Sequence, residues 1–171
     1  MGYRRKVKNM GISFNADEVF EMAEEIEKNG AKFYRRAAEQ TEDSSARDRL
    51  LGLAVMEDGH EKTFAAMRTD LSVKESMPRA FDPDNEAAQY LRALADDKVF
   101  DLKADPSAKL TGQETMEEIY RTAIGLEKDS IVFYQGIKEM VSEKLGKDKI
   151  DLIIREEMGH ITLLSEQLKS L

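Results

Sequence analysis

Two short stretches with the same pattern decide the fold of this chain, Glu57-Asp58-Gly59-His60 and Glu157-Met158-Gly159-His160. They contain the only two histidines of the sequence, and each histidine follows a glutamate by three residues. Positions i and i+3 of an α-helix lie on one face, so each stretch can direct a carboxylate and an imidazole to the same point. Both stretches are therefore candidate metal-binding turns of a helix.

The two stretches belong to a longer internal repeat with an offset of 100 residues, as between Glu27 and Glu127. The pair Phe33-Tyr34 recurs as Phe133-Tyr134 at the same offset. Since the offset is constant across both helices of each half, the sequence indicates duplication of a two-helix unit.

The four repeated glutamates fall within apolar helical stripes, as Glu57 does between Leu50 and Phe64 at spacings of seven residues. Buried carboxylates without a counter-charge would cost several kcal/mol each, and these stripes contain no Lys or Arg. One Glu from each of two helices with Glu-x-x-His from the other two is the dimetal carboxylate pattern. We predict two ions per chain, iron with manganese or zinc as substitutes, at a catalytic centre formed by Glu27, Glu57, His60, Glu127, Glu157 and His160.

Two tyrosines are candidate supporting residues of this centre. Tyr34 and Tyr134 each lie two helical turns from the glutamate of their own helix and could donate a hydrogen bond to a ligand on a neighbouring helix. Other glutamates near the motifs are expected at the solvated or ion-paired surface: Glu24, Glu61 and Glu156.

Apolar periodicity predicts an all-α fold, with four long helices in two hairpins, a long crossover between the second and third, and a short accessory helix in that crossover. A capping box at Asn15 and Glu18 opens the first helix, and a second box at Thr111 and Glu114 is expected to open the third, which Gly146 would end. The first helix is expected to end near Thr41. The second helix is expected at Ser44 to Asp70, the accessory helix at Asn85 to Phe100, and the fourth long helix from Asp148 to the C-terminus. We expect residues 1–14 to form a basic tail and 15–171 to form the bundle domain.

Composition excludes several function classes. A chain of 171 residues fits one domain, and a net charge of -8 argues against binding the phosphates of nucleic acids. Without cysteine the chain has no disulfide, thiolate metal site or cysteine nucleophile. No apolar run approaches the roughly 18 residues that span a bilayer, so no membrane association and a cytoplasmic location are expected.

The pattern resembles the ferritin-like superfamily, and most closely its rubrerythrin-like branch. The resemblance covers roughly Asn15 to Leu171 and rests on both Glu-x-x-His stretches together with Glu27-x-x-Gly-x-x-Phe-Tyr34 and Glu127-x-x-Ser-x-x-Phe-Tyr134. It implies a ferritin-like four-helix bundle in which the ligands divide into terminal carboxylates (Glu27 and Glu127), bridging carboxylates (Glu57 and Glu157) and one imidazole for each ion (His60 and His160).

The rubrerythrin-like resemblance also implies an activity, the reduction of hydrogen peroxide with electrons from a redox partner. Typical members carry a four-cysteine rubredoxin module that this cysteine-free chain lacks, so an external donor such as a rubredoxin or a flavoprotein is expected. They also carry a further glutamate on the third helix, where this chain has Ser130. A homodimer or larger homo-oligomer is expected.

Three functions remain open from the sequence. The first is a di-iron peroxide reductase of oxidative-stress defence. The second is a ferroxidase or iron-handling protein, in which oxygen is consumed and iron is the substrate. The third is a non-catalytic interaction module stabilised by its metal ions.

Overall fold

The structure is a computed structural model that describes residues 15–71, 86–95 and 105–171. It contains five α-helices: α1 (Ala16–Glu39), α2 (Ser44–Thr69), α3 (Glu86–Ala95), α4 (Met116–Met140) and α5 (Lys147–Lys169). Within these ranges no strand is present, and the predicted all-α fold is confirmed. The basic tail at 1–14 and residues 85 and 96–100 of the expected accessory helix lie outside the described residues.

The four long helices pack around two apolar clusters that lie on opposite sides of the predicted ligands. The first cluster takes its residues from the start of α1 and α5 and from the end of α2 and α4, and it includes Phe20, Phe64 and Ile150. The second cluster takes the opposite ends and includes Phe33 and Leu50. Consequently α1 runs parallel to α5 and α2 runs parallel to α4, and the connection from α2 to α4 must return along the bundle.

The N-termini of α1 and α4 are both fixed by capping boxes, but the second box is not the predicted one. Asn15 and Glu18 cap α1 as expected. Thr115 and Glu118 cap α4, so the prediction that Thr111 and Glu114 open this helix was wrong. The Glu114 side chain instead accepts hydrogen bonds from the backbone N–H groups of Thr111 and Gly112 in a separate turn before the helix.

The expected end of the third long helix at Gly146 was also wrong. α4 ends at Met140, and a 3₁₀ turn (Glu143–Leu145) precedes Gly146. Gly146 has a φ of 93°, in the left-handed region that glycine adopts without strain, and α5 begins at the next residue. Gly146 therefore marks the start of α5.

The short helix α3 of the crossover packs on α4. At Gly136 a Cβ atom would lie 2.7 Å from the Leu91 side chain and 2.8 Å from Tyr90, so glycine permits this close approach. The Tyr90 hydroxyl donates a hydrogen bond to the Val132 carbonyl at 3.1 Å. Among the described residues no helix is both long and apolar enough to cross a bilayer.

Candidate metal centre

The structure brings all six predicted ligand residues together between the two apolar clusters. Each is at most 5% exposed, and each of the four long helices contributes at least one of them: Glu27 from α1, Glu57 and His60 from α2, Glu127 from α4, and Glu157 and His160 from α5. The inward direction of the ligands follows from the sequence, because each lies in register with the buried apolar residues of its own helix.

The two histidines face the carboxylates through their Nδ1 atoms. His60 Nδ1 lies 3.0 Å from Glu157 Oε1, 3.5 Å from Glu27 Oε2 and 3.8 Å from Glu57 Oε2. The imidazole rings of His60 and His160 are stacked, with centroids 5.9 Å apart.

His160 repeats this arrangement with the equivalent partners. Its Nδ1 atom lies 2.8 Å from Glu157 Oε2, 3.3 Å from Glu57 Oε1 and 3.4 Å from Glu127 Oε1. Glu57 and Glu157 thus each direct one oxygen to each histidine, whereas Glu27 and Glu127 each face one histidine. The rubrerythrin-like resemblance implies bridging roles for the first two glutamates and terminal roles for the other two, and these roles stay a prediction.

These side chains form two overlapping groups that could each hold a metal ion. Within each group the ligand atoms all lie within 4.8 Å of one another. Two residues, Glu57 and Glu157, belong to both groups; the first group adds Glu27 and His60, and the second adds Glu127 and His160. We refer to these as the His60 position and the His160 position.

Tyr34 and Tyr134 connect the two halves of the chain. The Tyr34 hydroxyl of α1 donates a hydrogen bond to Glu127 of α4, and the Tyr134 hydroxyl of α4 donates one to Glu27 of α1. Each tyrosine therefore orients a predicted ligand residue of the opposite half. Burial, followed by the charge of the nearby carboxylates, raises the pKa of both tyrosines well above the ordinary value, which keeps both hydroxyls as donors.

The carboxylates titrate in two classes. Burial, followed by the proximity of Glu57, raises the pKa of Glu27, and burial raises the pKa of Glu127 to about 8. Burial acts in the same direction on Glu57, but its contacts with Glu27 and the two histidines outweigh that effect and lower its pKa to about 2. The pKa of Glu157 is also lowered, because its contacts with both histidines outweigh burial.

Both histidines are held in the charged form when no ion is bound. Burial alone would lower the pKa of each imidazole, but three adjacent carboxylates raise the pKa of His60 well above its ordinary value and that of His160 to about 12. Two positive imidazoles then balance two ionised carboxylates, Glu57 and Glu157. Metal binding at this centre must displace the protons held by the histidines and by the other two carboxylates.

The chemistry of the cluster fits a pair of metal ions. Among the described residues, several buried polar atoms of the cluster have no hydrogen-bond partner: Glu27 Oε2, Glu57 Oε1, both carboxylate oxygens of Glu157, and Nδ1 of both histidines. Buried polar atoms ordinarily have hydrogen-bond partners. A set of such atoms that faces a common space without hydrogen bonds therefore fits a metal ion bound in that space. Oxygen and imidazole nitrogen are ligand atoms for iron, manganese and zinc.

The sequence interpretation missed one contact of the centre. Glu156 was assigned to the solvated surface together with Glu24 and Glu61, and its side chain is 40% exposed. Its Oε2 atom nevertheless lies 2.8 Å from His60 Nε2, the imidazole nitrogen that faces away from the cluster. The position of Glu156 next to Glu157 gave no signal for this contact, because it depends on how α5 packs beside α2. Glu24, whose side chain is 23% exposed, lies 3.5 Å from Arg68 in a partly buried ion pair.

An open groove between α2 and α5 leads to this contact. It has a volume of about 440 Å³, and its lining includes His60, Glu156, Lys62 and Lys149. The groove therefore brings solvent to the Glu156 contact on the His60 side of the centre.

One solved structure gives an independent view of the fold. It is a Thermotoga maritima protein, provisionally described as a ferritin-like diiron-carboxylate protein, with a TM-score of 0.67 and 22% sequence identity. The match covers 91% of this chain and 95% of that protein. The fold is ferritin-like. No protein-family profile matches the sequence, and no curated protein is significantly similar to it.

Proposed function

We propose that this protein is a non-haem di-iron oxidoreductase that reduces hydrogen peroxide with electrons from an external redox protein. One observation carries the proposal: Glu57 and Glu157 each place one buried oxygen toward each of two histidine Nδ1 atoms. The description of the Thermotoga maritima protein as a diiron-carboxylate protein supports the same assignment. The preference for peroxide rests on the rubrerythrin-like motifs.

The residues of the chain would hold the ions and keep their surroundings dry. Glu27, Glu57, His60 and Glu157 would hold one ion, and Glu57, Glu127, Glu157 and His160 the other. Four carboxylates at -4 balance two divalent ions at +4, which offsets the cost of burying them. The apolar clusters on either side exclude bulk water, and both tyrosines orient the terminal carboxylates.

A bound iron pair would supply two electrons and Lewis acidity for cleavage of the O–O bond. Hydrogen peroxide, two electrons and two protons yield two water molecules. The electrons must then be replaced, and a chain without cysteine has no thiolate-ligated iron site with which to relay them from within. A rubredoxin or a flavoprotein is the class of donor that we propose.

The test is anaerobic loading with ferrous iron, measurement of iron per chain, and stopped-flow oxidation by peroxide or by oxygen. Two ions per chain, faster oxidation by peroxide, and turnover only with an added reduced rubredoxin or flavoprotein are expected. The matched control is the double variant His60→Ala, His160→Ala, which removes one ligand from each position.

The same experiment separates the competing functions. Faster oxidation by oxygen, with iron accumulating beyond two ions per chain, would replace peroxide reduction by a ferroxidase function. A protein that holds two ions and reacts with neither oxidant would be a metal-stabilised interaction module. Rapid peroxide turnover from NADH with the purified protein alone would contradict the external donor.

A further inference from the structure

The two histidines have equivalent carboxylate partners at Nδ1, the inner nitrogen, and different surroundings at Nε2, the outer nitrogen. His60 Nε2 lies 2.8 Å from the Glu156 carboxylate. His160 Nε2 is buried and has no hydrogen-bond partner among the described residues. At the 100-residue offset of the repeat, the residue equivalent to Glu156 is Met56, whose thioether is at best a weak acceptor.

The hydrogen-bond partner of Nε2 determines whether Nδ1 can bind a metal ion. A neutral imidazole carries one proton, and only the nitrogen without it has a lone pair for a metal ion. An acceptor at Nε2 fixes the proton there, leaves Nδ1 free for the ion, and holds the ring in orientation. Glu156 provides this acceptor to His60. The described residues provide no equivalent to His160.

We propose that Glu156 is a positioning residue that acts through His60 and makes the His60 position the tighter of the two metal positions. This inference rests on the dimetal centre proposed above. The two ligand sets are identical in composition, three carboxylates and one imidazole each. The difference in affinity therefore originates outside the ligands.

The groove between α2 and α5 determines which substitutions can test the role of Glu156. Because the groove is open at Glu156, water could replace a carboxylate that is merely deleted. Glu156→Leu fills a similar volume with an apolar side chain and offers no acceptor. Glu156→Gln keeps an acceptor oxygen in place while it removes the charge.

The affinity test uses backgrounds in which one position is disabled. His160→Ala retains the His60 position, and His60→Ala retains the His160 position. Competition titrations with Co²⁺ should show that Glu156→Leu weakens binding about 10-fold in the first background, the low end of the range for lost outer hydrogen bonds to ligands. In the second background the same change should alter affinity by less than about 2-fold, as expected for a residue outside that ligand network.

Two further variants separate the hydrogen bond from other effects. Glu156→Gln should restore most of the Co²⁺ affinity in the His160→Ala background, because the acceptor is retained. Met56→Leu, the matched apolar change in the other half, should leave both backgrounds unchanged. Equal losses with Gln and Leu would show that Glu156 acts only through its charge and would overturn the positioning role.

A spectroscopic measurement tests the contact without relying on affinity. The chain has two histidines, so ¹⁵N-labelled, Zn²⁺-loaded protein gives two imidazole signal sets that the two His→Ala variants assign. The His60 Nε2 proton should resonate downfield and be lost or shifted in Glu156→Leu, while the His160 signals stay unchanged. Unchanged His60 signals would overturn the inference.

The outcomes distinguish failure of the inference from failure of the dimetal function. If neither background binds Co²⁺ and the parent protein binds no ions, both proposals fail. If both backgrounds bind Co²⁺ and Glu156→Leu weakens them equally or not at all, the dimetal centre stands and the inference is overturned.

Discussion

The hairpins α1–α2 and α4–α5 carry the same ligands in the same register but differ in the residues around them. Glu156 beside His60 corresponds to Met56 in the other half. A cross-helix ion pair of the first hairpin, Arg35 with Asp58, corresponds to uncharged residues in the second: Gln135 and Met158. The predicted ligand residues are therefore the same in the two halves, while the residues around them differ.

This difference has a geometric cause. Glu57 and Glu157 each face both histidines, and each tyrosine bonds to a glutamate of the opposite half, so a change at any of these positions affects both halves. Glu156, by contrast, has a polar contact with one predicted ligand residue, His60. Residues such as Glu156 can therefore differ between the halves without loss of the shared centre.

The largest effect is expected where the halves share a ligand. Glu57→Gln and Glu157→Gln each remove a carboxylate that faces both histidines. Because loss of a direct metal ligand should match or exceed the 10 to 100-fold typical of lost hydrogen bonds to ligands, we expect both ions to bind about 100-fold more weakly. Isothermal titration with Zn²⁺ measures this. Loss of one ion only would contradict bridging.

Removal of one histidine should affect one position. His60→Ala and His160→Ala should each weaken one of the two ions by about 10 to 100-fold, with the other ion retained. Iron or zinc content per chain after dialysis, beside a competition titration, measures both ions. Full occupancy at unchanged affinity after replacement of both histidines would exclude them as ligands.

The metal-free protein should lose stability as pH rises from 5 to 8. Over this range the raised pKa values of Glu27, Glu127 and both histidines mean that the folded chain holds protons that the unfolded chain releases. Each such proton lowers the free energy of unfolding by about 1.4 kcal/mol per pH unit. Urea denaturation at several pH values measures how the free energy of unfolding depends on pH. The Glu127 carboxyl has a pKa of about 8, so Glu127→Gln should make this dependence weaker.

Metal-loaded protein should show the opposite dependence, since protons compete with the ions and acid destabilises the complex. Below about pH 4.5 the metal-free protein should also weaken, because the lowered pKa values of Glu57 and Glu157 make folding favour their ionised forms. Parallel curves for the loaded and metal-free proteins would show that the glutamates do not form one buried centre.

The crossed tyrosines should contribute equally. Tyr34→Phe and Tyr134→Phe each remove one buried hydrogen bond, to the side chains of Glu127 and Glu27 respectively. Each loss should lower the free energy of unfolding by about 1 to 2 kcal/mol. Urea midpoints of the metal-free variants measure this cost. Tyr120→Phe, within the second apolar cluster, is the matched control. Clearly unequal losses of unfolding free energy in the two variants would show that the halves also differ in their tyrosine–glutamate hydrogen bonds.

The smallest effect on affinity is expected at Ser130, which corresponds to Gly30 in the first half. The Ser130 hydroxyl donates to the Leu126 carbonyl at 3.0 Å, and the residue is 8% exposed. Ser130→Glu would add a carboxylate one turn from Glu127, so we expect altered peroxide kinetics with metal affinity changed less than about 3-fold, since no existing ligand is removed. Stopped-flow oxidation by peroxide and metal titration of Ser130→Glu, with Ser130→Ala as the control, test this prediction. A larger change in metal affinity than in the rate of oxidation would contradict it.

The sequence predicted the helices where their patterns were strong and missed boundaries where two signals competed. The Asn15 capping box and the start of α2 at Ser44 were predicted correctly. At the start of α4 two capping-box patterns lie four residues apart, and nothing in the sequence favours Thr115 over Thr111. Gly146 was recognised as a break, but its left-handed conformation serves the start of α5.

The sequence by itself determined which residues form the predicted ligand set and that they point into the bundle. Spacing on a helix is a local property, and a repeat with constant offset places equivalent residues at equivalent depths in a bundle. Only the tertiary structure decided which oxygen faces which nitrogen, that the tyrosine bonds cross between the halves, and that Glu156 reaches His60. Those contacts join residues 93, 107 and 96 positions apart, so they depend on how the helices pack and on no pattern within one helix.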